Sequence, residues 1–70
     1  MLDSYTLEQC KKNKEILLLK ISNLEHAIKQ SEYMIRESDL SDQELTFLRR
    51  KVADSMQDLE ILYLIKNNNS

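Results

Sequence analysis

The absence of glycine and proline limits most strongly how this chain can fold, because its 70 residues contain neither. Glycine supplies the positive backbone angles of tight turns and phosphate-binding loops, and proline ends helices and starts turns. Average usage would place about five glycines and three or four prolines in a chain of this size. Few sharp bends are possible without them, so the sequence predicts helix along almost all of its length.

Apolar residues in the first half of the chain follow the three- and four-residue steps of an amphipathic helix. The pattern runs from Leu7 to Ile35 and is interrupted only at Lys14 and Ser31. It therefore predicts one long helix over about residues 5–37.

A break is predicted at residues 38–41, where short polar residues interrupt the pattern. Ser41 stands three residues before Glu44, the spacing of a capping box, in which each side chain bonds to the backbone N–H of the other residue. Leu40 and Leu45 have the spacing of a hydrophobic staple around the same cap. The chain is therefore expected to re-enter a helix immediately after this loop.

The second half predicts a helix over about residues 42–66, followed by an asparagine-rich tail, 67–70, that frays. Because the connection is short, we expect the two helices to pack antiparallel. The predicted fold is all-α: a single domain over residues 1–70, in which an antiparallel two-helix hairpin closes around a coiled-coil-like seam. Ser55 or Met56 fills one seam position, and we assign Met56. The predicted seam residues are Leu17, Ile21, Leu24, Ile28, Ile35, Leu45, Leu48, Val52, Met56, Leu59 and Leu62.

A second apolar stripe lies beside the seam on both helices. Two helices have no third layer to cover it, and a soluble monomer rarely exposes an apolar patch larger than a few hundred Å². The stripe therefore predicts a surface for a partner. Alternatively, residues 1–12 fold back across it. The predicted interface residues are Ile16, Leu19, Ala27, Met34, Phe47, Ile61, Leu64 and Ile65.

Catalytic and metal chemistry are not expected. A hairpin of two helices has no concave pocket in which titratable groups converge, so we predict no enzyme activity and no cofactor. The single cysteine, Cys10, cannot form an internal disulfide, and with one histidine, His26, the chain has too few soft ligands for a zinc or iron site. We expect Cys10 to pack in the seam and His26 to lie at the surface.

Two basic clusters, at residues 11–14 and 49–51, could contact phosphate. Acidic residues border both clusters, the chain has only three tyrosines and one phenylalanine for stacking on bases, and its net charge is −2. We therefore do not expect nucleic acid as a partner. A homodimeric four-helix bundle stays open as an alternative, acting as a small regulator that binds RNA or protein through Arg49, Arg50 and Lys51.

The apolar runs at residues 16–19 and 61–65 are far shorter than the roughly 20 residues that span a bilayer. Residues 1–4 carry neither the basic nor the apolar segment of a secretory signal, and a lone thiol is typical of a reducing compartment. We therefore expect a cytoplasmic protein with no membrane partner.

Residues 42–48 and 59–65, separated by a polar stretch, resemble the second helix of the YscE-type proteins, small co-chaperones of type III secretion needle subunits. Residues 24–28 are similar to the Leu-Glu-x-Ala-apolar segment of that family's first helix. The resemblance covers about residues 20–65. The matching positions are Leu24, Ala27, Ile28, Phe47, Leu48, Leu59, Ile61 and Leu62.

The resemblance implies a co-chaperone in the bacterial cytoplasm. Such proteins bind a larger helical-repeat chaperone of TPR-like architecture, and the pair keeps the needle subunit monomeric and soluble until export. The hairpin's implied part is to support the larger chaperone. When its partner is missing, self-association through the same apolar stripe stays open.

Overall fold

The computed structural model describes residues 2–68, which fold into three α-helices. The helices are α1 (Ser4–Lys12), α2 (Lys14–Glu37) and α3 (Asp42–Asn68). Helices α2 and α3 form a long hairpin, and α1 packs against both of them. The molecule measures 42 × 19 × 15 Å. The all-α prediction is confirmed, whereas the prediction of a two-helix hairpin is wrong.

Asn13 divides the predicted first helix into α1 and α2. Its backbone is extended, with φ −130° and ψ 109°, and its side-chain oxygen accepts hydrogen bonds from the N–H groups of Glu15, at 3.0 Å, and Ile16, at 3.3 Å. Its own N–H donates to the carbonyl of Gln9 at 2.9 Å. Asparagine is among the best residues at a helix N-terminus because its side chain satisfies amides that lack a helical partner. The bend therefore forms without glycine or proline.

The second break contains the predicted capping box. The Ser41 N–H donates to a Glu44 carboxylate oxygen at 3.1 Å, and the Glu44 N–H donates to the Ser41 hydroxyl oxygen at 3.2 Å. The hydrogen bond from the Ser41 backbone lowers the pKa of Glu44 below its ordinary value of 4.5, because that bond favours the ionised carboxylate. Leu40 and Leu45, the predicted staple, are both half-buried. The exit from α2 and the start of α3 are thus fixed locally.

Helix α3 ends at Asn68, two residues beyond the predicted end at about residue 66. That the tail frays stays a prediction. Met1, Asn69 and Ser70 lie outside the described residues.

The hydrophobic core lies where all three helices meet, at the end of the hairpin away from the loop. We call this the open end. At the open end, Leu17 and Leu62 are almost completely buried, at 1% and 0% exposure, and Cys10 on α1 is 1% exposed. Leu2, Leu7, Leu24 and Val52 pack partly against this cluster. The buried apolar residues are Cys10, Leu17, Ile21, Ile28, Leu59, Leu62 and Ile65.

Most of the predicted seam lies between α2 and α3. Five of its members are in the buried cluster, and Leu24, Ile35, Leu45, Leu48 and Val52 are half-buried. Met56 was wrongly assigned, because its side chain is 52% exposed while Ser55 is half-buried. Ser55 and Met56 both fit the three- and four-residue steps between Val52 and Leu59, and the buried face of α3 includes Ser55.

Candidate docking surfaces

At the open end, α1 packs over part of the second apolar stripe. Ile65, predicted to face a partner, is 9% exposed and belongs to the core together with Cys10. The prediction that Ile65 lies in an interface is therefore wrong. The alternative, in which residues 1–12 fold back across the stripe, is observed in part, because α1 packs at Ile65 while the other stripe residues of the open end stay exposed.

The remaining predicted interface residues are accessible to different extents. Ala27, near the middle of α2, is half-buried. The others are exposed: Ile16, Leu19, Met34, Phe47, Ile61 and Leu64.

From Ile65 the stripe continues along α3 toward the loop end, where no element within residues 2–68 covers it. Phe47 and Ile65 are 18 residues apart on α3, which at 100° per residue is five full turns, so both lie on the same face. Ile16 and Met34 have the same spacing on α2. At the loop end Phe47 is 65% exposed and Met34 is 43% exposed. On α3 the stripe is therefore buried at the open end and exposed at the loop end, whereas on α2 it is exposed at both ends, with Ile16 at 37% and Met34 at 43%.

We call the apolar surface at the loop end the loop-end patch, formed by Met34, Leu40, Phe47 and Leu48. These side chains, with Gln43 and Glu44, line a shallow cavity of about 350 Å³. The capping box holds one wall of this cavity, because Glu44 belongs to both. The cavity has the size and apolar character to accept one or two large side chains from a partner.

A second surface lies between α2 and α3 on the opposite face, and we call it the acidic-rimmed groove. It is a shallow, open depression of about 450 Å³, and Ile28, Met56 and Leu59 form its apolar floor. At 100° per residue, Met56 and Tyr63 lie on one side of Leu59, whereas Phe47 and Ile65 lie on the other. The groove is lined by Glu25, Ile28, Lys29, Glu32, Met56, Leu59, Glu60 and Tyr63.

The Tyr63 hydroxyl donates a hydrogen bond to a Glu25 carboxylate oxygen and ties the two walls of this groove together. That hydrogen bond raises the pKa of Tyr63 above its ordinary value of 10.0, because it favours the protonated phenol next to a carboxylate. The groove was not predicted from the sequence because Met56 was assigned to the seam. The spacing of Met56 and Tyr63, seven residues apart on one helix face, is the signal that could have indicated it.

The other residues considered for chemistry are dispersed. Arg49, Arg50 and Lys51 are exposed, and Arg49 lies beside Glu32 and Arg36 in a further shallow groove. His26 is exposed and Cys10 is buried, as predicted. Within residues 2–68, no group of three or more His, Cys, Asp or Glu side chains could hold a metal ion. No helix in the same range has the length and apolar character needed to cross a membrane.

Comparison of the chain with protein-family models, with curated proteins and with solved structures finds no match. Within residues 2–68, the loop-end patch and the acidic-rimmed groove are the surfaces that bear most directly on function.

Proposed function

We propose that this chain is a non-enzymatic co-chaperone of a type III secretion system. It binds a larger helical-repeat chaperone in the bacterial cytoplasm, and the two together keep the needle subunit monomeric and soluble before export. The observation that carries the proposal is the exposure of Phe47, at 65%, in line with a stripe that is buried further along the same helix.

The loop-end patch supplies the chemistry of a docking site. An exposed aromatic side chain beside a shallow apolar cavity is typical of an interface anchor, because aromatic residues bury about 150–250 Å² each and are enriched among residues that dominate binding energy. Phe47 and Leu48 both match positions of the family that the sequence resembles. The patch is small, so binding to a larger chaperone would also use the exposed Ile61 and Leu64 along α3.

The position of helix α1 favours a role in which this chain supports the larger chaperone. Because α1 completes the core at the open end, the chain can fold before its partner arrives and then present the loop-end patch as a preformed surface. A preformed surface loses less conformational entropy on binding than a segment that has to fold.

Co-expression with a helical-repeat chaperone and a needle subunit encoded beside this chain tests the proposal. We expect the three proteins to co-purify, and we expect Phe47→Ser to abolish co-purification while the helical circular dichroism is retained. Tyr33→Ser is the matched control, because Tyr33 is also aromatic and about as exposed, at 60%, but lies outside both surfaces.

The alternative, a homodimeric four-helix bundle, predicts a different result. Sedimentation would then give a dimer that persists and ignores the co-expressed chaperone, and substitution of Arg49, Arg50 and Lys51 would remove RNA binding or protein binding. That combination would contradict the co-chaperone proposal.

A further inference from the structure

We propose that the acidic-rimmed groove binds a basic amphipathic helix of a second protein, at a site separate from the loop-end patch. The inference does not depend on the secretion chaperone, because it rests on residues of the opposite face.

The floor of the groove accepts apolar side chains. Ile28 and Leu59 are buried core residues that reach the groove from below, and Met56 stands 52% exposed beside them. Methionine is flexible and polarisable, so it adapts to side chains of different shape. A ridge of Leu or Ile side chains on one face of a helix fits such a floor.

The rim of the groove selects the charge of its occupant. Three carboxylates, those of Glu25, Glu32 and Glu60, surround the floor, with Lys29 as the single cationic group among the lining residues. Glu25 and Glu32 are seven residues apart on α2, which is about 10 Å along the helix axis. A partner helix with Lys or Arg on both sides of an apolar ridge would therefore place cations opposite these carboxylates over two to three turns.

The location of the groove leaves it free when the other surface is occupied. Met56 and Phe47 project from opposite sides of α3, and the lining residues of the groove and of the loop-end cavity do not overlap. The chain could in this way hold two partner segments at once.

The test uses the full chain and a synthetic 18-residue probe peptide with Leu at helical i, i+3, i+4 and i+7 positions and Lys on both flanks. We expect fluorescence anisotropy to show binding that weakens with added salt, since rim charges act through screened attraction. A peptide with Glu in place of Lys should bind at least about tenfold more weakly.

Two pairs of variants locate the binding. Met56→Lys should weaken binding of the Lys peptide about tenfold or more, because it places a cation on the apolar floor. Phe47→Lys introduces the same charge at an exposed apolar residue of the other face and should change binding less than about twofold. Likewise, Glu25→Gln, Glu32→Gln and Glu60→Gln together should weaken binding far more than Glu15→Gln, Glu37→Gln and Asp39→Asn together, although both triple variants change the net charge equally.

Equal losses in the two members of either pair would overturn the proposal, because binding would then follow net charge alone. Absence of binding to the Lys peptide, or equal binding of the Glu peptide, would overturn it as well. If sedimentation shows a dimer that Met56→Lys disrupts and Phe47→Lys preserves, the groove binds a second copy of this chain and the proposal is also wrong. Circular dichroism of every variant should keep the helical signal of the parent chain.

Discussion

The same apolar stripe of α3 reaches both ends of the hairpin, but it is buried at one end and exposed at the other. Ile65 at the open end and Phe47 at the loop end lie on one face of α3, yet the first is 9% exposed and the second is 65% exposed. The difference is the presence of α1, which packs across the stripe only at the open end. An amphipathic pattern therefore identifies which residues need cover, but a neighbouring element decides whether the chain or a partner provides it.

The largest expected effect separates the two ends by stability. Leu62→Ala at the open end should lower the free energy of unfolding by about 2–5 kcal/mol, because it removes a fully buried side chain and leaves a cavity. Phe47→Ala at the loop end should change it by less than about 0.5 kcal/mol. Urea unfolding followed by circular dichroism measures both.

If Leu62→Ala prevents folding altogether, Ile65→Val provides a graded version, with an expected loss of about 0.5–1.5 kcal/mol. Comparable losses for Ile65→Val and Phe47→Ala would mean that the two ends are not differently covered.

An intermediate effect is expected when the bend that brings α1 over the stripe is removed. Asn13→Ala deletes the cap of α2 and supplies the strongest helix former, so α1 and α2 should tend to join in one straight helix. We expect a loss of about 1 kcal/mol in unfolding free energy, together with faster reaction of the Cys10 thiol.

Ser41→Ala is the control for this change, since it removes a comparable cap at the loop end without affecting α1. It should cost about 1 kcal/mol and leave the Cys10 thiol protected. Equal thiol reactivity in the two variants would mean that the bend at Asn13 does not determine whether α1 packs over the stripe.

The smallest expected effect concerns acid. The capping hydrogen bond keeps the pKa of Glu44 lower in the folded chain than in the unfolded one, so its contribution is complete above about pH 4.5 and is lost as the pH falls through the lowered folded value. Glu44→Gln should make the unfolding midpoint less dependent on pH below this value. An unchanged pH dependence would show that the capping box contributes nothing to acid sensitivity.

Local chemistry explains which parts of the fold could be predicted. The loop at residues 38–41 was predictable because the capping box and the staple coincide there. The bend at Asn13 was not, since asparagine is also found inside helices and the apolar steps continue across it. In retrospect, Lys14 was the signal: a charged residue at a seam position is tolerated because it follows the bend, where its side chain is exposed.

The candidate surfaces were predictable only in part. The periodicity placed Phe47 and Met34 beside the seam, but it could not show that α1 buries Ile65. That outcome depends on where a separate helix packs, which the pattern of α3 does not encode. Met56 was misassigned because Ser55 and Met56 both fit the three- and four-residue steps, so periodicity alone does not choose between them.

The central claim is that α1 buries the apolar stripe of α3 at the open end only. Thiol accessibility at the two ends tests this claim most directly. In the native chain, Cys10 should react with a thiol reagent about a hundredfold more slowly than in urea, because it becomes accessible only when α1 opens. In a chain carrying Cys10→Ser and Phe47→Cys, the thiol at the loop end should react at nearly the unfolded rate. Equal native rates at the two positions would show that α1 does not cover the stripe and would contradict the account.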